Sequence, residues 1–213
     1  MLGILCGLES EEKIARRIPD TIVACSSARP LRAKELARNL ADSGATRLLS
    51  FGIAGSLSSS FQLGDVVIGT QVRSSNGAWL CDEAWGQALS GKIPQAKFGK
   101  IYGSDALVSS STAKALIHQK TGCAMVDMES HCIAEAAAEA NLPLMVIRSV
   151  CDDSSMNVPK FLLAAVDTEG SFDLYKALRH IALHPLESPD FFRVMCGTRI
   201  ALDSLKTIRQ FIA

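Results

Sequence analysis

The chain has 213 residues, 48% of them hydrophobic and 21% charged, with 22 basic and 22 acidic side chains for a formal net charge of zero. That length suits one sizeable core better than two small ones, and a neutral chain without a basic block or aromatic–basic ladder argues against a nucleic-acid partner. No apolar run approaches the roughly 18 residues that cross a bilayer, and "MLGILCGLESEEK" turns acidic too soon for a secretory signal.

Seven cysteines, at 6, 25, 81, 123, 132, 151 and 196, form no CxxC pair, and several lie in apolar runs. That usage fits reduced thiols in a cytoplasmic protein. The four histidines are scattered along the chain and form no zinc motif, so no metal site is expected.

In chain order, "LGILCGL" predicts a short buried strand, "ESEEKIARRI" an acidic helix and "TIVAC" a second strand. Pro30 suits a first helical position and Gly44 a stop, which predicts a helix over 30–43. "RLLSF" reads as a strand entering a glycine loop, "GIAGS", and "GDVVIGTQV" as the next strand. From 73 to 97, glycines, both tryptophans and Pro94 predict loops or an edge hairpin. "ALVSS" reads as a strand, and Ser111 or Thr112 as the cap of a helix ending near Gly122. "CAMVDM" is a strand, 129–141 a helix stopped before Pro143, and "LMVIRSV" a fully apolar strand.

The C-terminal stretch reads as helices. Pro189 starts one in which Val194, Ala201, Leu202, Leu205, Ile208 and Ile212 recur near a 3.6-residue period. Apolar strands alternating with helices predict a single α/β domain over 1–213. Its central sheet is twisted and largely parallel or mixed, and residues 172–213 form a helical extension packed on it.

"GQALSGKI" at 86–93 nearly matches the phosphate loop GxxxxGK[ST], but Ile93 replaces the magnesium-binding hydroxyl and Pro94 breaks the helix that should follow. "GIAGS" lacks dinucleotide spacing, and GxSxG and HExxH are absent. What remains is a recurrence of acids after apolar strands: Glu9, Glu11 and Glu12 after the first, Asp127 and Glu129 in "VDMES", and Asp152 with Asp153 after "LMVIRSV". Each alone reads as a helix cap or solvated surface. Together they fit convergence at the carboxyl ends of strands, where α/β sheets bind ligands.

Three stretches, "GILCGLESEE", "SFGIAGSLSSSFQLGDVVIGTQV" and "VDMESHCIAEAAAEANLPLMVIRSVCDDSS", resemble in order the signatures of the nucleoside phosphorylase and nucleosidase superfamily, over roughly residues 1–158. Within it, "CSSARPLRAKELA", "GSDALVSSSTAKALIHQKTGCAMVDMES" and the helical tail are most similar to the hopanoid-associated phosphorylases, also called adenosylhopane nucleosidases. The resemblance implies cleavage of the N-glycosidic bond of an adenosyl substrate, adenosylhopane first, without metal or cofactor. Methylthioadenosine, futalosine and phosphorolytic purine nucleosides are the alternatives, and a nucleoside-binding protein that kept the fold is the non-enzymatic one.

Such a reaction leaves oxocarbenium-like charge on ribose and negative charge on the departing base, so it needs an acid at the purine, anchors for the hydroxyls and a nucleophile. The resemblance assigns Asp152 to purine N7, Glu129 to the ribose hydroxyls, Met128 beneath the sugar and Glu11 to activation of water. Asp127 stands where a glutamate is more usual and falls to a supporting role. Leu107, Val108 and Gly55 are placed against the substrate. Small-substrate adenine nucleosidases carry an aromatic ring where this chain has Leu107, which weakens adenine stacking.

The Gly-Asp-Pro-Arg phosphate loop of the phosphorylase branch is missing, which favours water. Ser27 and Arg29 in "SSARP", near a helix start, are the rival anion perch, with phosphate as co-substrate. Phe161, Leu162, Phe191 and Phe192 line an apolar route for a triterpenoid or fill the core. The family further implies a homo-oligomer, and a greasy substrate implies visits to the inner membrane face without a transmembrane anchor.

Overall fold

The computed structural model describes residues 1–159, 161–167, 170, 172–184 and 188–212. The chain opens with β1 (Leu2–Cys6), α1 (Glu9–Ala15), β2 (Thr21–Cys25) and α2 (Pro30–Asp42). Two long strands follow, β3 (Arg47–Ser56) and β4 (Val66–Arg73), then the short β5 (Ala78–Leu80), α3 (Glu83–Lys92) and β6 (Lys97–Gly103). The second half holds α4 (Ser111–Thr121), β7 (Met125–Asp127), α5 (Ser130–Glu139), β8 (Leu144–Asp152), α6 (Phe161–Ala164), α7 (Leu174–Leu183) and α8 (Ser188–Ile208). A 3-10 turn, Arg209–Phe211, ends the fold.

Local chemistry accounts for several boundaries. Pro30 occupies the first turn of α2, and Gly44 beyond its end has φ +89°. Ser110, one residue before the expected caps, accepts the Ala113 amide at 3.2 Å, and α4 stops at left-handed Gly122. Asp82 caps α3 through the Trp85 amide at 2.8 Å. This helix lies in the stretch expected to be loop, because Gly86, Gly91 and Pro94 hide its helical pattern. The edge hairpin expected there exists as β4–β5, with Val72 opposite Trp79.

Two other expectations fail. "ALVSS" at 106–110 is loop, and the strand is β6, whose alternation of lysines and glycines gives little apolar signal. "GIAGS" is not a loop; it continues β3, because the strand has partners along its whole length.

Parallel ladders join β1–β2, β1–β3, β3–β8, β4–β6 and β6–β7, and antiparallel ones join β3–β7, β4–β5 and β4–β8. The pairs β3–β8, β8–β4, β4–β6, β6–β7 and β7–β3 close a ring of strands, so the sheet is mixed and folds back on itself. Closure is possible because one edge of β3 changes neighbours: Arg47–Ser50 pair with β1, and Gly55 and Ser56 pair with β7, while β8 follows the strand from Leu48 to Gly55. The register slips at Ala54/Gly55, where Gly55 comes opposite Asp152. A slip of this kind re-aims a side chain at a strand end.

The main core lies within and around this ring, with Phe51, Leu48, Leu49, Ile147 and Met145 fully buried. Leu205, Ile208 and Ile212 of the C-terminal stripe are buried in it, Leu202 packs against it, and Ala201 is buried as well. Val194 instead joins a second cluster with Met156, Val158, Leu162, Ala165, Ala177 and Phe191, against which Leu107 and Phe161 pack, while Phe192 is exposed. Among the described residues no helix is long and apolar enough to cross a membrane.

Candidate active site

Three acids predicted from the sequence stand over three glycines. A Cβ on Gly52 would lie 2.6 Å from Glu11 Oε1, one on Gly7 3.0 Å from Glu129 Oε1, and one on Gly55 2.8 Å from Asp152 Oδ2. Two of these glycines are on β3 and one follows β1, so the glycine-rich strand end is the floor on which the carboxylates are set. A side chain at Gly52 or Gly55 would push its carboxylate aside, and one at Gly7 would crowd Glu129.

The N-terminal acids divide clearly. Glu9 pairs with Lys13 at 2.7 Å and Glu12 with Arg16 at 2.6 Å on the outer face of α1. Glu11 is buried. Its Oε2 accepts the amides of Gly7 and Leu8, and its Oε1 that of Ile53, each at 2.8 Å. Burial nevertheless pushes its pKa up, against the opposing pull of the Ile53, Leu8 and Gly7 amides and of Arg148.

Glu129 occupies the cap position of α5 without capping it through its side chain. Burial, followed by the charge of Asp127, pushes its carboxyl up to about 8, although Arg148 opposes the shift. Asp127 is tied down instead: its Oδ1 accepts the Ser130 amide at 2.9 Å and the Glu129 amide at 3.2 Å, and its Oδ2 receives Arg148 Nε at 2.7 Å and the Ser130 hydroxyl.

Arg148 spends its other donors on Ser50 Oγ at 2.6 Å, Ser130 Oγ at 2.9 Å and the Ile147 carbonyl at 3.0 Å. Burial alone would lower its pKa; the charges of Asp127, Glu129 and Glu11 outweigh that, and the net shift is upward. The strand "LMVIRSV" is therefore not fully apolar in function, since it carries the cation that this acid cluster surrounds.

Asp152 ends β8 with both carboxyl oxygens engaged. Lys114 Nζ donates to Oδ2, and the Cys151 thiol donates to Oδ1 at 3.2 Å. Burial, with Asp152 adding to it, holds the Cys151 thiol well above its ordinary pKa, so it stays a donor. A cavity of about 50 Å³ lies beside this carboxyl, and Gly55, Leu107, Val108, Met128, Asp127 and Val158 share its wall with Asp152. Glu11 and Glu129 lie outside that wall, and both feel the charge of Arg148, which is bonded to Asp127 within it.

Ser27 and Arg29 are not part of this wall. Ser27 is buried at φ +58°, its hydroxyl accepting Arg32 Nη1 at 3.2 Å, and Arg29 is exposed at the start of α2. The backbone at Gly170 sits over Ser27, and its carbonyl accepts the Glu9 amide at 3.0 Å. Among the described residues no group of histidine, cysteine, aspartate and glutamate is arranged to hold a metal ion.

Residues 29–179, more than two thirds of the chain, match the family profile of the Phosphorylase superfamily. The chain belongs to this enzyme superfamily. Solved structures with the same fold include the 5′-methylthioadenosine/S-adenosylhomocysteine nucleosidase of Neisseria meningitidis in complex with methylthio-immucillin-A, at 16% identity and a TM-score of 0.76 over 99% of this chain and 97% of that one. The futalosine hydrolase of Helicobacter pylori matches at 15% identity and a TM-score of 0.71 over 97% and 96%. A methylthioadenosine/S-adenosylhomocysteine nucleosidase of the same organism matches at 14% and 0.72, again over 97% and 96%. At these identities the likeness is one of fold.

Sequence reasoning missed two members of this superfamily member's site, Arg148 and Lys114. Arg148 had a signal: a lone charge inside an apolar strand must find a buried partner. Lys114 had none, because α4 reads as an ordinary polar helix and only the packing shows this lysine as its buried residue.

Proposed function

We propose that this chain cleaves the N-glycosidic bond of an adenosyl nucleoside, with water as the nucleophile. The observation that carries the reading is the set of three carboxylates, Glu11, Glu129 and Asp152, each seated on a glycine at the strand ends. Gly52 and Gly55 are three residues apart on β3, roughly 10 Å at about 3.3 Å per residue. That span suits a ribose and a purine laid along the strand between Glu11 and Asp152.

In this reading Asp152 gives a proton to purine N7 as the C1′–N9 bond breaks and its electron pair moves to the base, and the proton that Glu11 takes from water restores the balance. Glu129 accepts the ribose hydroxyls, with Met128 beneath the sugar, and Gly55, Leu107 and Val108 close around the substrate. Glu11 takes the proton of the water that bonds to C1′. The nucleosidase and hydrolase structures that share the fold support water over phosphate. So does the position of Ser27 and Arg29, since the first is engaged by Arg32 and the second faces solvent. Methylthioadenosine and futalosine are the preferred substrate types.

A second reading, an adenosyl compound with a large apolar 5′ group such as adenosylhopane, rests on one observation. Leu107 and Val158 line the cavity and also belong to the apolar cluster of Met156, Leu162 and Phe191. Chromatography of the base released from methylthioadenosine, S-adenosylhomocysteine, futalosine and adenosylhopane, with and without phosphate, separates these readings. Base release without phosphate, lost in Asp152→Asn and in Glu11→Gln, is the expected result. Strict phosphate dependence removes the role of Glu11, and unchanged turnover in Asp152→Asn removes the mechanism.

A further inference from the structure

A fully buried lysine is the feature this reading does not use. Lys114 is 0% exposed, and it is the only residue of α4 counted among that helix's buried side chains. Its three ammonium protons go to Asp152 Oδ2, to the Asp153 carbonyl at 2.7 Å and to the Met156 carbonyl at 3.1 Å. Burying an ammonium group is costly, and an apolar side chain of similar volume is often at least as good for stability. Apolar neighbours are close: Ile117, one turn along α4, packs with Leu57, Cys123 and Val126. Stability is therefore a poor reason for a lysine here.

The geometry gives a better one. Two of the three bonds hold the turn that follows β8, and the third holds the acid at the strand end. Two further bonds tie the same segments: the Val158 amide to the Ser109 carbonyl at 2.8 Å, and the Ser111 amide to Asn157 Oδ1 at 3.0 Å. With Oδ2 held by Lys114 and the Cys151 thiol on Oδ1, the carboxyl of Asp152 has a fixed orientation at the cavity wall.

We propose that Lys114 is the positioning residue for Asp152, fixing the carboxyl that serves the departing purine and closing the turn around it. This rests on the assignment of Asp152 to the base.

The test uses Lys114→Met, Asp152→Asn and the double variant, each checked by its melting curve. The substrates are methylthioadenosine and 4-nitrophenyl riboside, whose phenolate departs without a proton. Lys114→Met is expected to slow adenine release about 100-fold or more, the range of a lost general acid, and to leave nitrophenolate release within about tenfold of wild type. Asp152→Asn should show the same pattern, and the double variant should be no slower than Asp152→Asn. The double variant also removes the unpaired buried charge that each single variant leaves, so it is expected to melt no lower than either.

Lys114→Met releasing adenine at the wild-type rate overturns the proposal. So does an equal loss on both substrates, which marks a structural role, or a double variant slowed by the product of the single effects. The double-variant comparison needs only methylthioadenosine, so it decides the matter even where the nitrophenyl compound is a poor substrate. Wild-type protein that releases no base from any adenosyl compound removes the proposed function itself, and Lys114 with it.

Discussion

Arg148 Nε donates to Asp127 Oδ2 at 2.7 Å in the interior, and the same guanidinium reaches Ser50 from β3 and Ser130 from α5. One side chain thus joins the strand that ends in Asp152, the glycine strand and the "VDMES" turn. Replacing it with methionine leaves Asp127 charged and without its cation. Arg148→Met is expected to lower unfolding free energy by about 3–5 kcal/mol, the usual cost of breaking a buried pair. Urea titration at neutral pH measures this, and a loss under about 1 kcal/mol would show that the serines and amides around Asp127 hold it unaided.

Much of this arrangement was legible before any coordinates. Strand and helix order came through wherever apolar runs were dense, as in "LGILCGL", "TIVAC" and "LMVIRSV", and caps such as Pro30 and Gly122 gave their helix ends. The signal failed where it was dilute. In β6, "KFGKIYG" mixes lysine and glycine, and α3 carries two glycines, so pairing and packing decide what periodicity does not. The acids are visible as a recurrence and the resemblance assigns their roles, but periodicity does not separate Glu11 from Glu9 and Glu12, which differ from it by facing outward. Closure of the sheet was out of reach, because it depends on β3 exchanging β1 for β7 along one edge.

The raised carboxyl of Glu129 makes a pH prediction. In the unfolded chain it titrates near 4.3 or so, whereas burial and the Asp127 charge push it up to about 8 in the fold. Between those values the unfolded chain has released a proton that the folded one keeps, so stability falls as pH rises. The contribution is whole below the unfolded value and is lost as pH climbs through 8. Glu129→Gln, which cannot ionise, should therefore gain on wild type in unfolding free energy between pH 5 and 8, as compared by denaturant midpoints. Ribose hydroxyls donate best to the ionised form, so nucleoside affinity of wild type should improve by up to about tenfold per unit from pH 6 to 8. Binding isotherms of Glu129→Gln should lose most of that slope. Equal slopes in the two proteins would mean that Glu129 does not meet the sugar.

The glycine floor makes a contrast between two substitutions. A Cβ at Gly52 would meet Glu11 Oε1 at 2.6 Å, and Glu11 has little freedom to retreat because three amides hold it. Gly52→Ala should reduce turnover by about 100-fold or more, the scale of a displaced catalytic base, with a smaller effect on the binding of free adenine. Gly91 lies in α3 with nothing within 4 Å of its would-be Cβ. Gly91→Ala should leave turnover alone and add about 0.5–1 kcal/mol from helix propensity. Steady-state kinetics and melting curves of the two variants check both halves, and a Gly52→Ala enzyme at wild-type turnover would separate Glu11 from the chemistry.

The contact between α8 and β8 makes the last prediction, because it links the C-terminal helix to the acid. A Cβ on Gly197 would fall inside the carbonyl oxygen of Cys151, the residue before Asp152, and would press on Leu63 at 3.2 Å. Both partners of the closest contact are backbone, so no side chain can swing aside. Either α8 lifts from β8 or the end of β8 shifts. The cost of such overpacking is about 1–3 kcal/mol, and the two responses differ in kinetics. If α8 lifts, Gly197→Ala melts earlier with kcat intact. If β8 shifts, Asp152 moves away from Lys114 and from Gly55, and kcat falls along with stability. The second outcome is expected, since Ala201 and Leu205 anchor α8 in the core just beyond the contact, whereas the strand ends at a register slip. Paired measurements of Tm and kcat on Gly197→Ala decide it, and a variant with both values unchanged would mean that α8 does not press on the acid-bearing strand.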